Sequence, residues 1–300
     1  MSDSRETSAP RQVIGTKRFR EPMAKPITTR IFTVANQKGG VGKTTSAVNV
    51  AAALAMGGLK TLIIDLDPQG NASTAFGISR DEVSGMYEVI IKDLPMQSAA
   101  LKIPGYPSLE VIPATQSLAN AEVELVPMVA REMRLKKSLN NYLLDAANKG
   151  ERFDYVIIDC PPSLGLLTIN ALVAAQELMI PIQCEYYSLE GLTLLLHTVS
   201  LIQEHLNPNI KLTTILLTMF DGRTRLANDV AAEVRKHYNA ELIDIPIPRA
   251  VRISEAPSYG QTVMTYDPAS IGAEAYGLVA REIARRGAPS SNSNSEKGVG

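Results

Sequence analysis

Tryptophan is absent from the 300-residue sequence, and cysteine and histidine are scarce. The two cysteines, Cys160 and Cys184, each lie in an apolar run typical of a strand, so we expect buried free thiols and no disulfide framework. Two cysteines by themselves also exclude a structural zinc site. The histidines occupy helix-like stretches without the spacing of metal ligands, and they are His197, His205 and His237.

Long apolar runs and a strong net charge are also missing. No apolar run approaches the length of a membrane span, and the first segment is too polar for a signal peptide, so we expect a cytoplasmic protein. The net charge of −1 gives no overall field that would attract nucleic acid or acidic membranes. Any anionic partner must therefore contact a local basic patch.

The two ends of the chain differ in composition from the rest. Residues 1–26 are rich in Ser, Pro and Arg and have no periodicity, which predicts a disordered basic arm. A solvated arm is favoured over a weak DNA or membrane contact. Residues 287–300 are rich in Gly, Ser and Asn and predict a flexible tail. The intervening residues 27–286 show no linker and no internal repeat, which predicts one domain.

Within this domain, short apolar runs alternate with helical patterns. The runs are continuously apolar, which indicates a sheet covered on both faces. The predicted strands are 31–35, 61–65, 109–113, 155–159, 178–182, 213–218 and 242–247. The predicted helices are 44–56, 131–147, 164–175, 189–206, 228–238 and 272–286. This order predicts an α/β fold with a doubly wound, mainly parallel β-sheet flanked by helices.

A glycine-rich loop, Lys38–Thr45 (KGGVGKTT), joins the first predicted strand to the first predicted helix. Glycines let successive N–H groups face one anion, and the helix N-terminus adds a partial positive charge. In such loops the lysine at Lys43 reaches the β- and γ-phosphates and the hydroxyl at Thr44 binds magnesium. The usual pattern has glycine where this chain has Gln37, and Lys38 adds a second cation. The loop predicts a nucleotide site with Mg²⁺.

Three aspartates follow predicted strands. Asp65 and Asp67 end the second strand two residues apart, so both side chains point to the same side, and Asp159 ends a later strand. Ligands of parallel sheets bind beyond the carboxyl ends of the strands. One such acid can equally cap a helix, but three at one edge beside a phosphate loop favour a magnesium nucleotide site.

These motifs together resemble the ParA/Soj family of chromosome- and plasmid-partitioning ATPases, in the MinD-like group with a deviant Walker A loop. The resemblance covers about residues 30–286, and the segments that carry it are the loop, DLDPQGN (65–71), IIDCPP (157–162), LLTMFDGRT (216–224), IPRAVRISEAPSYG (247–260) and 266–276. It implies ATP-dependent DNA segregation with ATP and Mg²⁺ as cofactors. An ATP-bound sandwich dimer would bind DNA non-specifically and be released when a ParB-like partner stimulates slow hydrolysis.

The resemblance also implies roles for individual residues. Lys38 would reach the phosphates held by the other subunit, and Asp67 would position the attacking water. Magnesium would be held by Thr44, Asp65 and Asp159. The nucleotide would be bound by Lys38, Gly39, Gly40, Val41, Gly42, Lys43, Thr44 and Thr45, with Met219, Pro246 and Pro248 near the adenine.

Two arginines, Arg223 and Arg252, match the family's DNA-contacting positions, and Arg225 and Arg249 lie close by in sequence. DNA phosphates are the expected target, so binding would ignore sequence and weaken steeply with salt. A second basic group that opens a predicted helix is interpreted as a solvated face, and it comprises Arg131, Arg134, Lys136 and Lys137. The expected partners are a second copy of the chain, double-stranded DNA and a ParB-like centromere-binding protein. We expect a cytoplasmic, nucleoid-associated protein without stable membrane association.

Three other activities of the superfamily compete with this one. A MinD-like membrane-cycling ATPase calls for a basic amphipathic helix at the C-terminus, where this chain has a Gly/Ser-rich tail. An iron–sulfur carrier needs cysteines in a cluster-binding context, which Cys160 and Cys184 lack. A metabolic ligase or synthetase needs a substrate pocket in place of the partition-type segment Ser254–Gly260.

Overall fold

A computed structural model describes residues 19–81, 83–185 and 188–289, except for the side chain of Glu190. The strands are β1 (Arg30–Val34), β2 (Thr61–Asp65), β3 (Leu101–Ile103), β4 (Tyr106–Ile112), β5 (Tyr155–Asp159), β6 (Glu177–Gln183), β7 (Lys211–Thr218) and β8 (Leu242–Ile243). They form one sheet in the order β3-β4-β2-β5-β1-β6-β7-β8. All pairs are parallel except β3 with β4.

Helices flank this sheet on both sides. They are α1 (Lys43–Met56), α2 (Asn71–Ala75), α3 (Met86–Ile91), α4 (Ala121–Leu125), α5 (Arg134–Asn148), α6 (Leu166–Ala174), α7 (Ser188–His205), α8 (Arg225–Tyr238), α9 (Val251–Glu255), α10 (Val263–Tyr266) and α11 (Ile271–Gly287). Single turns of 3₁₀ helix lie at Met96–Ser98, Gln116–Asn120, Arg131–Met133 and Ala256–Tyr259. The predicted doubly wound, mainly parallel α/β fold is confirmed. Among the described residues, none of the helices is both long and apolar enough to cross a membrane.

The continuously apolar strands supply side chains to a separate core on each face of the sheet. On β5, for example, Val156 and Ile158 pack with α5, α6 and α7, whereas Tyr155 and Ile157 pack with α1 and α11. Every residue of β2 and β5 is buried. This two-sided burial holds the central strands in register, so Asp65 lies opposite Asp159 at the carboxyl edge.

The sequence-based assignments differ from the structure mainly at the sheet edges. The predicted strand 242–247 is confined to β8, because the Ile245 amide turns back to the Ile243 carbonyl at 2.7 Å and Pro246 has no N–H for the ladder. The antiparallel edge strand β3 was not predicted. It turns into β4 at Gly105, whose φ is 85°. The short helices α2, α3, α4, α9 and α10 were also missed.

The described chain is already packed at Phe19, ahead of the predicted domain boundary at residue 27. Phe19 is 5% exposed and belongs to the core beneath α11, where a Cβ on Gly277 would lie 2.8 Å from its ring. The Met23 amide donates to the carbonyl of Gly57 at 3.0 Å. Most of the predicted arm (residues 1–18) and of the predicted tail (residues 290–300) lies outside the described residues, so the division into arm, domain and tail stays a prediction.

Replacing Phe19 tests whether the segment before β1 belongs to the folded domain. We expect Phe19→Ala to lower the free energy of unfolding by about 3 kcal/mol, because a buried aromatic side chain leaves a cavity. Urea denaturation would measure the change. Ile27→Ala is the control, since Ile27 is 71% exposed and its truncation should cost less than about 0.5 kcal/mol. Equal stabilities of the two variants would contradict the packing of Phe19.

Candidate nucleotide-binding site

The glycine-rich loop between β1 and α1 has the backbone conformation that a phosphate cradle requires. Gly40 and Gly42 adopt φ values of 74° and 85°, in the left-handed region that favours glycine. Helix α1 begins at Lys43, and its first intrahelical bond runs from the Ser46 amide to the Gly42 carbonyl at 2.9 Å. The Thr218 hydroxyl, at the end of β7, donates to the Val41 carbonyl at 2.8 Å. The loop is therefore fixed from the sheet side, with the helix N-terminus open to an anion.

The two lysines of the loop have different surroundings. Lys43 is 7% exposed, and its ammonium donates to the carbonyl of Lys38 at 3.0 Å. Burial lowers the pKa of Lys43, although the charges of Asp159 and Asp67 oppose this effect. The Lys38 side chain is 40% exposed, and its ammonium pairs with the carboxylate of Glu185, just past β6. Lys43 thus faces the interior of the site, and Lys38 lies at its rim.

The three predicted aspartates lie together at the carboxyl edge of β2 and β5, but their contacts differ. Asp65 accepts hydrogen bonds from the Ser73 amide at 2.8 Å and the Ser73 hydroxyl at 2.6 Å. Asp67 accepts one from the Gln69 amide at 2.9 Å. Asp159 is fully buried, and neither of its carboxylate oxygens has a hydrogen-bond partner. Asp65 is thus anchored to α2, whereas Asp159 keeps both oxygens available to a ligand.

Burial of the neighbouring carboxylates at this edge of the sheet makes their charged forms unfavourable. Burial and, secondarily, the charge of Asp65 raise the pKa of Asp159 well above its usual value, and the nearby Thr44 hydroxyl and Lys43 ammonium oppose this shift without a hydrogen bond of good geometry to either oxygen. Burial also raises the pKa of Asp65 to about 6; the Ser73 hydrogen bonds oppose this shift and the Asp67 charge adds to it. A cation at this edge would offset both effects.

These contacts fit magnesium bound together with a nucleotide. The described residues contain no group of three or more His, Cys, Asp or Glu placed to hold a metal ion. Magnesium sites of nucleotide enzymes need few protein ligands, because phosphates and water complete the coordination. The unpartnered oxygens of Asp159 and the hydroxyl of Thr44, in the first turn of α1, are suitable ligands. Asp65 already bonds Ser73, so it would act mainly through Asp159 and bound water.

A cavity of about 320 Å³ adjoins the loop on the β7 side. Its lining includes Gly42 and Thr45 from the loop and Met219, Ile247 and Pro248 from the segments after β7 and β8. Met219 has a φ of 49°, a conformation that costs a non-glycine residue on the order of 1 kcal/mol or more and is often found at binding sites.

The lining agrees with two of the three residues predicted near the adenine. Met219 and Pro248 line the cavity, but Pro246 is not among the lining residues. The chain pairs with the end of β7 through the Ile247 amide, which donates to Leu217 at 2.8 Å, and turns toward the loop only after that bond. Pro246 thus lies outside the lining of this cavity, and its contact with the adenine stays a prediction.

Some residues of the site were not predicted from the sequence. Glu185 lies two residues past the end of β6, so a search for acids at or just past strand ends, as applied to Asp159 and Asp67, would have found it. Thr218 and Ser73 show no comparable signal, because hydroxyl residues are common at strand ends and in helices. Tyr276, which lines the cavity from α11, is far from the loop in sequence.

The four arginines predicted to contact DNA lie on two segments that the structure brings together. An isolated bridge pairs Phe220 with Pro248, which joins the segment after β7 to the segment before α9. Arg223 and Arg225 lie on the first segment and at the start of α8. Arg249 and Arg252 lie on the second and in α9. The side chains of Arg223, Arg225 and Arg252 are 90%, 95% and 56% exposed.

Comparison with known proteins gives relatives over most of the chain. A family model described as an AAA domain matches residues 29–212. Chromosome partitioning protein ParA of Myxococcus xanthus is 48% identical over 263 residues, covering 87% of this chain and 90% of its own. Sporulation initiation inhibitor protein Soj of Bacillus subtilis is 49% identical over 259 residues, covering 86% and 99%.

Solved structures agree on the fold. Cobyrinic acid a,c-diamide synthase of Mycobacterium smegmatis with bound ADP and magnesium has a TM-score of 0.72 and 36% identity, covering 86% of this chain and 95% of that chain. A plasmid partition protein of Borrelia burgdorferi has a TM-score of 0.68, covering 86% and 99%. At 23% identity, the latter supports the fold alone.

Removing the unpartnered carboxylate should stabilise the nucleotide-free protein. We expect Asp159→Asn to raise the free energy of unfolding by about 1–3 kcal/mol at pH 8, because it removes a buried carboxylate that accepts no hydrogen bond and is repelled by the charge of Asp65. Because the pKa of Asp159 is raised in the folded state, the wild type loses stability as the pH rises through that pKa. The difference in the free energy of unfolding between Asp159→Asn and the wild type should therefore narrow as the pH falls. Urea denaturation from pH 5 to 8 would measure both effects.

The matched control is Asp154→Asn, directly before β5. Asp154 is also buried, but it accepts a hydrogen bond from the Lys60 amide at 2.9 Å and pairs with Arg152 at 3.2 Å. This substitution should lower stability. A loss of stability in Asp159→Asn as well would contradict the unpartnered state of Asp159.

The cavity lining predicts different effects for two substitutions near the base. We expect Met219→Ala to raise the Kd for a non-hydrolysable ATP analogue about five- to tenfold, because apolar contact with the base is lost. Pro246→Ala should leave the Kd unchanged, since Pro246 is not in the lining. Isothermal titration calorimetry would measure both. An equal effect of the two substitutions would contradict this assignment of the base-binding cavity.

Proposed function

Because the chain belongs to the ParA/Soj family of chromosome-partitioning ATPases, we propose that it is a slow ATPase that drives DNA segregation. In this proposal two chains enclose ATP and Mg²⁺ between them, and the dimer binds DNA without regard to sequence. A ParB-like centromere-binding protein stimulates hydrolysis, and the dimer then dissociates from DNA. Association with DNA would place the protein at the nucleoid.

The observation that carries this proposal is the contrast between Lys38 and Lys43. Lys43 is buried beside Asp159 and Asp67, where it can bind phosphates of the chain's own nucleotide. Lys38 lies at the rim, with 40% of its side chain exposed, and within the part of the chain that the structure describes its ammonium pairs only with Glu185. A second cation in this position could contact the phosphates of a nucleotide that is bound to another subunit.

The chemistry requires positioning and charge neutralisation more than covalent help. The loop amides, Lys43 and Thr45 would bind the phosphates. Thr44 and Asp159 would hold magnesium, with Asp65 supporting Asp159, and the bound ion would supply charge neutralisation at the phosphates. Asp67, held by the Gln69 amide, would orient the attacking water. Lys38 of the second subunit would complete the site, which makes hydrolysis depend on dimerisation.

DNA binding is supported by the location of the four arginines. Arg223, Arg225, Arg249 and Arg252 are carried by segments whose inner residues, Met219 and Pro248, line the base cavity. Guanidinium groups form hydrogen-bonded ion pairs with phosphate oxygens. Contacts to backbone phosphates do not distinguish one base sequence from another.

The MinD-like alternative has less structural support. Its membrane anchor would be a C-terminal amphipathic helix with a free apolar face. The apolar face of α11 is buried against α1 instead, through residues such as Ala273, Val279 and Ala280. A membrane role would therefore need a further apolar surface.

A synthase activity, as in the name of the M. smegmatis structure, would need a second substrate beside the nucleotide. A cavity next to the loop, between α1, α2 and the 3₁₀ turn after α9, has a volume of about 230 Å³. Small-molecule sites usually measure roughly 300–1,000 Å³. Partition-type residues, Ala256, Pro257 and Gln261, occupy one wall of this cavity, which favours the segregation ATPase.

Co-sedimentation with random-sequence duplex DNA tests the proposal. We expect wild-type protein to bind only with ATP and Mg²⁺, with affinity falling steeply as salt rises. Lys38→Ala should fail to dimerise and to bind. Arg223→Ala/Arg252→Ala should dimerise but lose binding, and any residual salt slope should be smaller by about 0.9 for each lost phosphate contact.

Light scattering would report the dimer, and vesicles of anionic lipid serve as the membrane control. ATP-independent DNA binding, or normal binding by the double variant, would refute the proposal. Vesicle binding without DNA binding would favour the MinD-like activity.

A further inference from the structure

The arginine surface proposed to bind DNA is not a net positive patch. Three of its four arginines are paired with carboxylates of the same surface. The paired carboxylates belong to Asp221, Asp229, Glu255 and Asp267. Within the described residues, Arg249 makes no ion pair. Four cations and four anions give this surface a formal charge of zero, which is consistent with the chain's overall charge of −1.

The pair between Arg223 and Asp221 has the closest geometry. The guanidinium Nε and Nη2 donate to the two carboxylate oxygens of Asp221 at 2.8 and 2.7 Å. The Arg223 amide also donates to Asp221 Oδ1 at 3.1 Å. These hydrogen bonds lower the pKa of Asp221 to about 2, so the carboxylate stays charged at any physiological pH. A two-point contact of this kind is the one that guanidinium makes with phosphate.

The other two paired arginines have looser contacts with their carboxylates. Arg225 lies 3.5 Å from Asp229, one turn further along α8. Arg252 donates to Glu255 at 3.1 Å, lies 3.5 Å from Asp267 and has Tyr266 beside its guanidinium. Asp221 therefore competes most directly for an arginine.

We infer that Asp221 is an affinity-setting residue that occupies the phosphate-binding edge of Arg223, so that DNA binds by exchanging a carboxylate for a backbone phosphate. The inference rests on the proposed DNA-binding function and adds to it an intramolecular competitor. It means that one chain gains little from Arg223, because a phosphate replaces its existing partner and leaves Asp221 uncompensated. Appreciable affinity then requires two such surfaces on one DNA, as an ATP-dependent dimer would provide.

The test is Asp221→Asn, compared with Asp244→Asn. Asparagine keeps a carbonyl oxygen for the Arg223 amide, so the turn is retained while the charge is removed. Asp244 is a matched control, because Arg235 contacts both of its carboxylate oxygens, with Nη2 donating to Oδ1 at 2.6 Å and Nε to Oδ2 at 3.1 Å, outside the arginine surface. Both variants change the net charge equally, so a difference between them reports the local competition.

With ATP, we expect Asp221→Asn to bind random-sequence duplex DNA about two- to fivefold more tightly than Asp244→Asn, the range expected for an exposed ion pair. Its affinity should also fall more steeply with salt, because Arg223 then neutralises a phosphate without leaving an acid unpaired. In an Arg223→Ala background, the Asp221→Asn change should give no gain beyond that of Asp244→Asn. Fluorescence anisotropy over a salt series would measure these affinities.

Equal affinities of the two single variants would overturn the inference. A weaker Asp221→Asn would also overturn it, because Asp221 would then orient Arg223 for DNA. A gain that persists in the Arg223→Ala background would exclude competition for Arg223. Wild-type protein that shows no ATP-dependent DNA binding would instead refute the proposed function itself, so the two failures are distinguishable.

Discussion

Burial of negative charge at the carboxyl edge of β2 and β5 is the constraint on which the site depends. Strand pairing sets Asp65 opposite Asp159, and both are fully buried because helices cover the two faces of the sheet. Water cannot solvate these carboxylates, so the protein must neutralise them with hydrogen bonds, protons or cations. Ser73 stabilises one of them and Lys43 lies beside the other, but the oxygens of Asp159 remain without a partner. The free energy stored in this arrangement is released when a cation binds.

The same constraint explains why the two lysines of the loop are not equivalent. Lys43 is drawn into the carboxylate cluster, where it loses solvent and gains Asp159 and Asp67. Lys38 stays outside and finds an acid on another strand end, Glu185. One short loop thus carries a cation for its own site and a second cation at the surface. The two lysines differ in burial because Lys43 is the first residue of α1, whereas Lys38 lies in the loop between β1 and α1.

Much of this architecture follows from local sequence. The apolar strands, the glycine loop and the acids after Ile64 and Ile158 predict the sheet, the phosphate cradle and the aspartates at one edge, because parallel strands bring their ends together. Contacts between distant segments could not be predicted in this way. The Asp65–Ser73 bonds, the burial of Phe19 and the Lys38–Glu185 pair depend on packing. Pro246 was assigned to the base from the family resemblance, which does not show where this chain leaves the sheet. The arginines were predicted as a basic surface, and only the structure reveals the acids that neutralise it.

The bridge between Phe220 and Pro248 joins the segment after β7 and the segment before α9 into one thin strip. This strip borders both the base cavity and the arginine surface. Met219 and Pro248 line the base cavity on its inner side, and Arg223 faces solvent on its outer side. Arg249 is exposed and also lines the cavity, so it borders both surfaces. No second layer of structure separates the two sides. A substitution that shifts this layer of backbone should therefore alter both the cavity and the arginine surface, so the two surfaces are not expected to change independently. Relatives with altered nucleotide preference should carry compensating changes in the outer residues of this strip.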